Sequence, residues 1–261
     1  MKSLRNDEKL TFGGHLEVLR RMLFRIIAVA GAIAMIVFCF KETTWDLLLA
    51  PSEWDFFTYR WIESAFQFFG MNFRFEEFHV NLIATDLSSQ FMTHITTAVY
   101  LGALGSSPYI LYELFRFISP ALYENERKYS VQVSSIIYVL FILGVLMSYF
   151  VLFPISFRFL GTYSVSAKVV SNITLDSYIS TFVSLTLVMG VVFQLPVIAF
   201  FLGKMGVFTS AMLAKYRKHS FVIIMIVAAI ITPPDLMTLI LVTIPLYLLY
   251  EVSIRVVKLV E

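Results

Sequence analysis

Between two long apolar runs, the stretch Pro108-Tyr-Ile-Leu-Tyr-Glu-Leu-Phe-Arg-Phe-Ile-Ser-Pro-Ala-Leu-Tyr-Glu-Asn-Glu-Arg127 carries three carboxylates, Glu113, Glu124 and Glu126. They stand beside the apolar and aromatic side chains of Phe117, Leu122 and Tyr123. A carboxylate binds a guanidinium through two parallel hydrogen bonds, more strongly and directionally than it binds an ammonium. An acid rim beside an apolar groove therefore suits a peptide that carries arginines followed by a hydrophobic stretch. The same spacing lets Glu126 simply pair with Arg127 or Lys128. Ser119-Pro120 reads as a helix start, with proline pre-set at the first helical position and serine free to cap. A short helix should lead from there into the next apolar run, with Glu124 and Glu126 near the water interface.

Other chemistries find little support. The four histidines, His15, His79, His94 and His219, fall in different segments, and Cys39 has no cysteine partner. Metal-ligand spacing and a disulfide framework are therefore both missing from the sequence. It contains no phosphate-binding Gly-x-x-x-x-Gly-Lys-Ser/Thr and no Gly-x-Ser-x-Gly nucleophile motif. Coupled carriers keep an ionisable group near mid-membrane. Here Glu113, Asp235 and Glu251 stand only at the ends of apolar runs. A binding platform with no cofactor is the leading reading. The runner-up is a small-molecule or ion secondary transporter that uses Gln194 and the break at Pro196.

The elements that position these residues are membrane helices. Of 261 residues, 59% are hydrophobic and 15% charged, with mean hydropathy +0.80. A soluble domain carries about a quarter charged residues. The apolar residues also come in long runs rather than at core-face spacing. We read an all-α integral membrane protein, residues 1–261, with six spans at about 22–40, 91–113, 130–153, 177–202, 216–231 and 236–254. The last two are short, the fifth most of all: about 16 residues at 1.5 Å each give about 24 Å, against a hydrocarbon core of about 30 Å. Pro154 is expected to end the third span. The stretch Ala28-Val-Ala30 follows too few apolar residues, interrupted by Arg25, for a cleaved signal, so the first span is read as uncleaved.

Leu16, Leu19 and Leu23 recur at helical spacing, so residues 12–21 read as an amphipathic turn or two at the membrane surface, or as a basic anchor for the first span. The polar segment 41–90 holds eight acids and three basic residues. Within it, Trp54, Phe57, Trp61, Ile62, Ala65, Phe66 and Phe69 share a helical face opposite Glu63, Ser64 and Gln67. An interfacial amphipathic helix is expected over about 52–70, followed by a strand-like alternation at Phe73–Glu76. This segment reads first as a lid on the bundle. His94 suits an interhelical hydrogen bond or, less readily, a proton relay. Gln194 suits interhelical glue or a substrate contact.

With the N-terminus inside, 15 of the 20 basic residues fall on inner segments. The positive-inside rule then places both termini in the cytoplasm.

Taken in order, several motifs resemble TatC, the multispanning receptor subunit of the twin-arginine protein translocase, over Phe12 to Arg255. They are His15-Leu-Glu-Val-Leu-Arg20, Ile83-Ala-Thr-Asp86, Pro108-Tyr-Ile-Leu-Tyr, Phe117-Ile-Ser-Pro-Ala-Leu-Tyr-Glu-Asn-Glu-Arg127, Phe193-Gln-Leu-Pro196, Ile231-Thr-Pro-Pro-Asp235 and Pro245-Leu-Tyr-Leu-Leu-Tyr-Glu251. The resemblance implies a bacterial inner-membrane receptor for twin-arginine signal peptides of folded cargo. It implies single-span TatA/TatB-type partners, self-association in a larger complex, and transport on the proton-motive force without nucleotide, metal or nucleic acid. It assigns the loop glutamate that holds arginines to Glu126, with Leu122 and Phe117 in the same motif and Glu17 and Arg20 in the lead-in. Pro51, Pro108 and Asp235 match positions sensitive for function.

The chain departs from that pattern at several places. The family's lead-in is usually His-Leu-x-Glu-Leu-Arg, but the fourth position here is Val18 and the acid is Glu17. One residue turns a side chain about 100° around a helix. The second arginine-binding carboxylate is thus open among Glu17, Glu113 and Glu124. Gln194 stands where many members have Glu, Leu239 where some have Gln, and the 41–90 segment is longer than usual.

Overall fold

The computed structural model describes residues 12–71, 74–118, 130–166, 172–233 and 235–261. The lead-in and the first apolar run form one continuous helix, α1 (Phe12–Cys39). Its 28 residues reach about 42 Å at 1.5 Å each, so a core of about 30 Å leaves its first turns projecting. The lead-in is an extension of the span rather than a separate surface element.

The segment after α1 forms α2 (Lys41–Leu49), a 3-10 turn at Ala50–Ser52, and α3 (Phe57–Phe68). Helix ends leave carbonyls without helical donors. Those of α2 are taken up by other elements: Tyr149 Oη donates to Leu47 O at 2.7 Å, Tyr178 Oη to Leu48 O at 2.7 Å, and Ser52 Oγ to Leu49 O at 2.6 Å. α3 turns Thr58 and Tyr59 inward and leaves Phe57, Trp61 and Phe68 exposed along the opposite face. Glu63, expected on the water side, is half-buried and its Oε1 accepts from Phe75 N at 2.7 Å. The Arg158 guanidinium lies over the rings of Tyr59, Phe75 and Phe78 at 5.4, 4.2 and 4.7 Å. Its Nη2 also donates to Glu76 O at 2.9 Å, so it clamps this segment to the bundle.

No strand forms at the Phe73–Glu76 alternation: Arg74–Val80 is irregular, and Phe73 lies outside the described residues. The strand pairing found instead is β1 (Leu82–Ile83) parallel to β2 (Ile173–Thr174), with Leu82 opposite Ile173 and Ile83 opposite Thr174.

The run expected as one span at 91–113 is divided between α4 (Ser89–Gly105) and α5 (Ser107–Ile118). Pro108 has no N–H to offer the carbonyl of Leu104, and the ladder breaks at Ser106. α4 lies along α1, and Gly102 permits the contact. A Cβ there would stand 2.6 Å from the Cβ of Ala34 and 2.7 Å from the Ala30 carbonyl.

Pro154 does not end the third apolar run. α6 (Ser130–Met147) widens into a π-helical turn at Ser148–Leu152 and continues as α7 (Phe153–Thr162). The wider turn accommodates the proline in the first turn of α7.

α8 (Leu175–Val192) and α9 (Leu195–Lys204) are separated by a turn at Phe193-Gln194. α8 packs on α6 and α9 on α12 (Leu236–Lys258). Between them in sequence come α10 (Ser210–Lys215) and α11 (Arg217–Ile231), which the bidentate pair Arg217–Glu251, at 2.7 and 2.9 Å, staples to α12. The core centres on Phe153, Phe157, Tyr178 and Phe182, where Tyr178 meets Phe153 and Phe157 edge-on at 5.0 Å. Edge-to-face pairs of this kind add to the stabilisation from burial.

Candidate functional site

The first half of α1 and the last turns of α5 enclose a cleft of about 230 Å³. Val18, Met22 and Phe117 make its apolar wall, and Arg21, Arg25, Arg116 and Glu113 its charged one. Helical spacing produces the site: 18, 22 and 25 fall on one face of α1, and 113, 116 and 117 on one face of α5. Glu113 is 6% exposed. Its Oε1 accepts from Tyr109 Oη at 3.1 Å and lies 3.6 Å from Arg25 Nη1.

Of the residues expected at the arginine site, Phe117 lines this cleft and is half-buried. Glu126 and Leu122, with Glu124, lie outside the described residues. Glu17 does not line the cleft. It is exposed and pairs with Arg21, which donates to its Oε1 through Nε at 3.2 Å and Nη2 at 3.0 Å. An exposed i, i+4 pair of this kind stabilises by only about 0.3–0.5 kcal/mol. Val18, one position on, takes the cleft-facing place. Arg20 is exposed, its guanidinium 5.7 Å from the Phe24 ring.

The remaining expected residues are dispersed. Pro51 is buried in the 3-10 turn, where its carbonyl lies 3.4 Å from Tyr59 Oη. Pro108 is exposed in the first turn of α5. Gln194 Nε2 donates to Ile137 O on α6 at 3.0 Å, an interhelical contact. Asp235 caps α12, its Oδ1 accepting from Thr238 N at 2.7 Å. His94 was expected to find an interhelical hydrogen bond, but its Nε2 is buried with no such partner among the described residues. Its ring is instead stacked on Phe38 at 4.4 Å.

Arg25, Arg116 and Tyr109 were not singled out in the sequence as site residues. The available signal was Arg25 itself, a charge about one turn into an apolar run. Such a residue requires a partner.

Among the described residues, four helical stretches, Leu16–Cys39, Ser134–Thr162, Leu175–Lys204 and Leu236–Lys258, are long and apolar enough to cross a membrane. With a charged cleft at one end of α1, the architecture defines a multi-pass helical membrane protein. The family model described as the Sec-independent protein translocase protein TatC matches residues 14–245. The TatC protein of Blattabacterium sp. subsp. Periplaneta americana is 35% identical over 260 residues, 98% of this chain and 97% of that one. TatCy of Bacillus subtilis is 37% identical over 179 residues, 69% of this chain and 70% of the relative. A crystal structure of a twin arginine translocase receptor, TatC, superposes with a TM-score of 0.73 at 32% identity, over 94% of this chain and 99% of that one. The chain belongs to the TatC family of Sec-independent protein translocase proteins.

Proposed function

We propose that this protein is the receptor and core scaffold of a twin-arginine translocase. It binds Arg-Arg signal peptides at its cytoplasmic face and nucleates export of folded proteins driven by the proton-motive force. Family membership along almost the whole chain supports the reading, and one observation supports a location for it. The cleft between α1 and α5 adjoins, in sequence, the acidic stretch that contains Leu122 and Glu126. In this reading Glu126 takes the arginines and Leu122 and Phe117 the apolar residues that follow, while Glu17 and Arg20 present the exposed flank of α1.

The topology that serves this function has six spans and both termini in the cytoplasm of a bacterial inner membrane. α4 and α11, at 17 and 15 residues, supply the two crossings beyond the four longer helices. Single-span subunits of the TatA/TatB type dock on the bundle, with Pro51, Pro108, Gln194 and Asp235 holding its shape or meeting those partners. The transporter reading loses its ground, because Gln194 is engaged with a neighbouring helix.

The test is export of a folded twin-arginine reporter by cells that carry Glu126→Ala or Glu126→Lys. Export should stop while the protein remains in the membrane at its normal level. Normal export in both variants would refute the assignment.

A further inference from the structure

Among the described residues the cleft contains one carboxylate, Glu113, that water scarcely reaches, and nothing in its spacing sets it apart from Glu17 or Glu124. The Glu113 side chain is 8% exposed, and its contacts among the described residues, Tyr109 Oη and Arg25 Nη1, fall on Oε1. A buried carboxylate stays charged only where cations and hydrogen bonds compensate its lost hydration. Among the described residues Arg25 is the cation that Glu113 meets, and the contact is loose. At 3.6 Å the Arg25 contact is an ion pair without a hydrogen bond, far from the two-pronged geometry a guanidinium can reach. The Arg25 side chain is also 55% exposed, so it can withdraw into water cheaply.

Among the described residues, the other charges that line the cleft are otherwise engaged or placed. Arg21 is already neutralised by Glu17 at 3.0 Å. Arg116 is in the last turn of α5, where the helix dipole favours a cation. Val18 faces the cleft without charge, so among the described residues the acid that lines this space comes from α5 and not from α1.

Resting on the function proposed above, we infer that Glu113 is a second receptor carboxylate for a guanidinium of the signal peptide. Arg25 is the internal guanidinium that holds its place while no peptide is bound. An incoming arginine displaces Arg25 and closes a bidentate pair on Glu113, with Met22 and Phe117 flanking the planar group. The cleft of about 230 Å³ has room for that exchange. The two residues therefore act with opposite sign on affinity. A pair that merely holds α1 against α5 would act with the same sign.

The experiment measures binding of a fluorescent Arg-Arg signal peptide, with a Lys-Lys version beside it, to the full-length protein in membrane nanodiscs. Glu113→Gln should weaken Arg-Arg binding about tenfold or more, as loss of one partner of a buried charged pair does. Arg25→Gln should tighten it several-fold, and the double variant should behave as Glu113→Gln. The exchanged pair, Arg25→Glu with Glu113→Arg, keeps the ion pair and should fold, yet lose the preference for Arg-Arg. Thermal melts confirm folding in each case. If both single variants weaken binding alike, or neither alters it, while Arg-Arg still outbinds Lys-Lys and Glu126→Ala abolishes binding, the inference falls and the receptor reading stands. If the unmodified protein binds both peptides equally, the receptor reading falls and this inference with it.

Discussion

The hydroxyl of Thr58, on α3, donates to the carbonyl of Phe150, four residues before Pro154. That carbonyl is the one a residue with an N–H at position 154 would have bonded in a regular helix. The cap segment thus repairs the defect that proline introduces, and Tyr59 Oη adds a second bond, to Pro154 O at 2.8 Å. Thr58→Val keeps the shape and removes the donor. It should destabilise the protein by about 0.5–1.5 kcal/mol, the net contribution of a hydrogen bond, here at a part-buried carbonyl. Thr58→Ser should be nearly silent. Thermal unfolding in detergent distinguishes the two, and equal melting of both variants would argue against the repair.

Tyr59 makes the same junction sensitive to alkali. Burial raises its phenol above the ordinary value of 10.0, more than Arg158 nearby lowers it. A group with a raised folded pKa contributes stability that is complete below its unfolded value and fades as pH rises towards the folded one. Melting temperature should therefore fall above about pH 10, from this residue's share. In Tyr59→Phe that share of the fall should vanish, at the expense of a lower plateau at neutral pH. Parallel pH titrations of Tm would show it.

Gln194 joins the α8–α9 turn to α6 through the Ile137 carbonyl. Interhelical hydrogen bonds of this kind contribute on average about 0.6 kcal/mol and at most about 1.7. Gln194→Leu should accordingly lower stability modestly and leave export measurable. Complete loss of export with unchanged melting would give Gln194 a direct role instead.

Gly102 sets the spacing of α1 on α4, with the Ala34 Cβ 2.6 Å from where its own Cβ would stand. Gly102→Val should force the helices apart, at about 1–3 kcal/mol for overpacking. Cysteine pairs across Ala34 and position 102's neighbours should then crosslink more slowly than in the unmodified background. Unchanged rates would mean that the helices absorb the extra bulk.

Much of the helical architecture was legible because hydrocarbon imposes a simple pattern of long apolar runs. The α11 and α12 boundaries lie close to the expected 216–231 and 236–254 for that reason. The misreadings came from proline, whose effect depends on tertiary partners. At Pro154 the helix survives because a π-helical turn and Thr58 compensate; at Pro108 the ladder breaks after Ser106. Periodicity also placed Glu63 towards water, unaware that Phe75 N would need an acceptor. At the cleft, Glu113 was visible in sequence as one acid among several. The pairing of Arg25 with Glu113 was not, since it joins residues of two helices far apart in the chain.

The most direct test of the receptor account is site-specific photo-crosslinking from position 122 to a signal peptide bearing Arg-Arg, with Lys-Lys as the control. Crosslinking should require Arg-Arg and disappear in Glu126→Ala. Equal crosslinking to both peptides, or none to either, would contradict the receptor reading and reduce the acids of this loop to solvated surface.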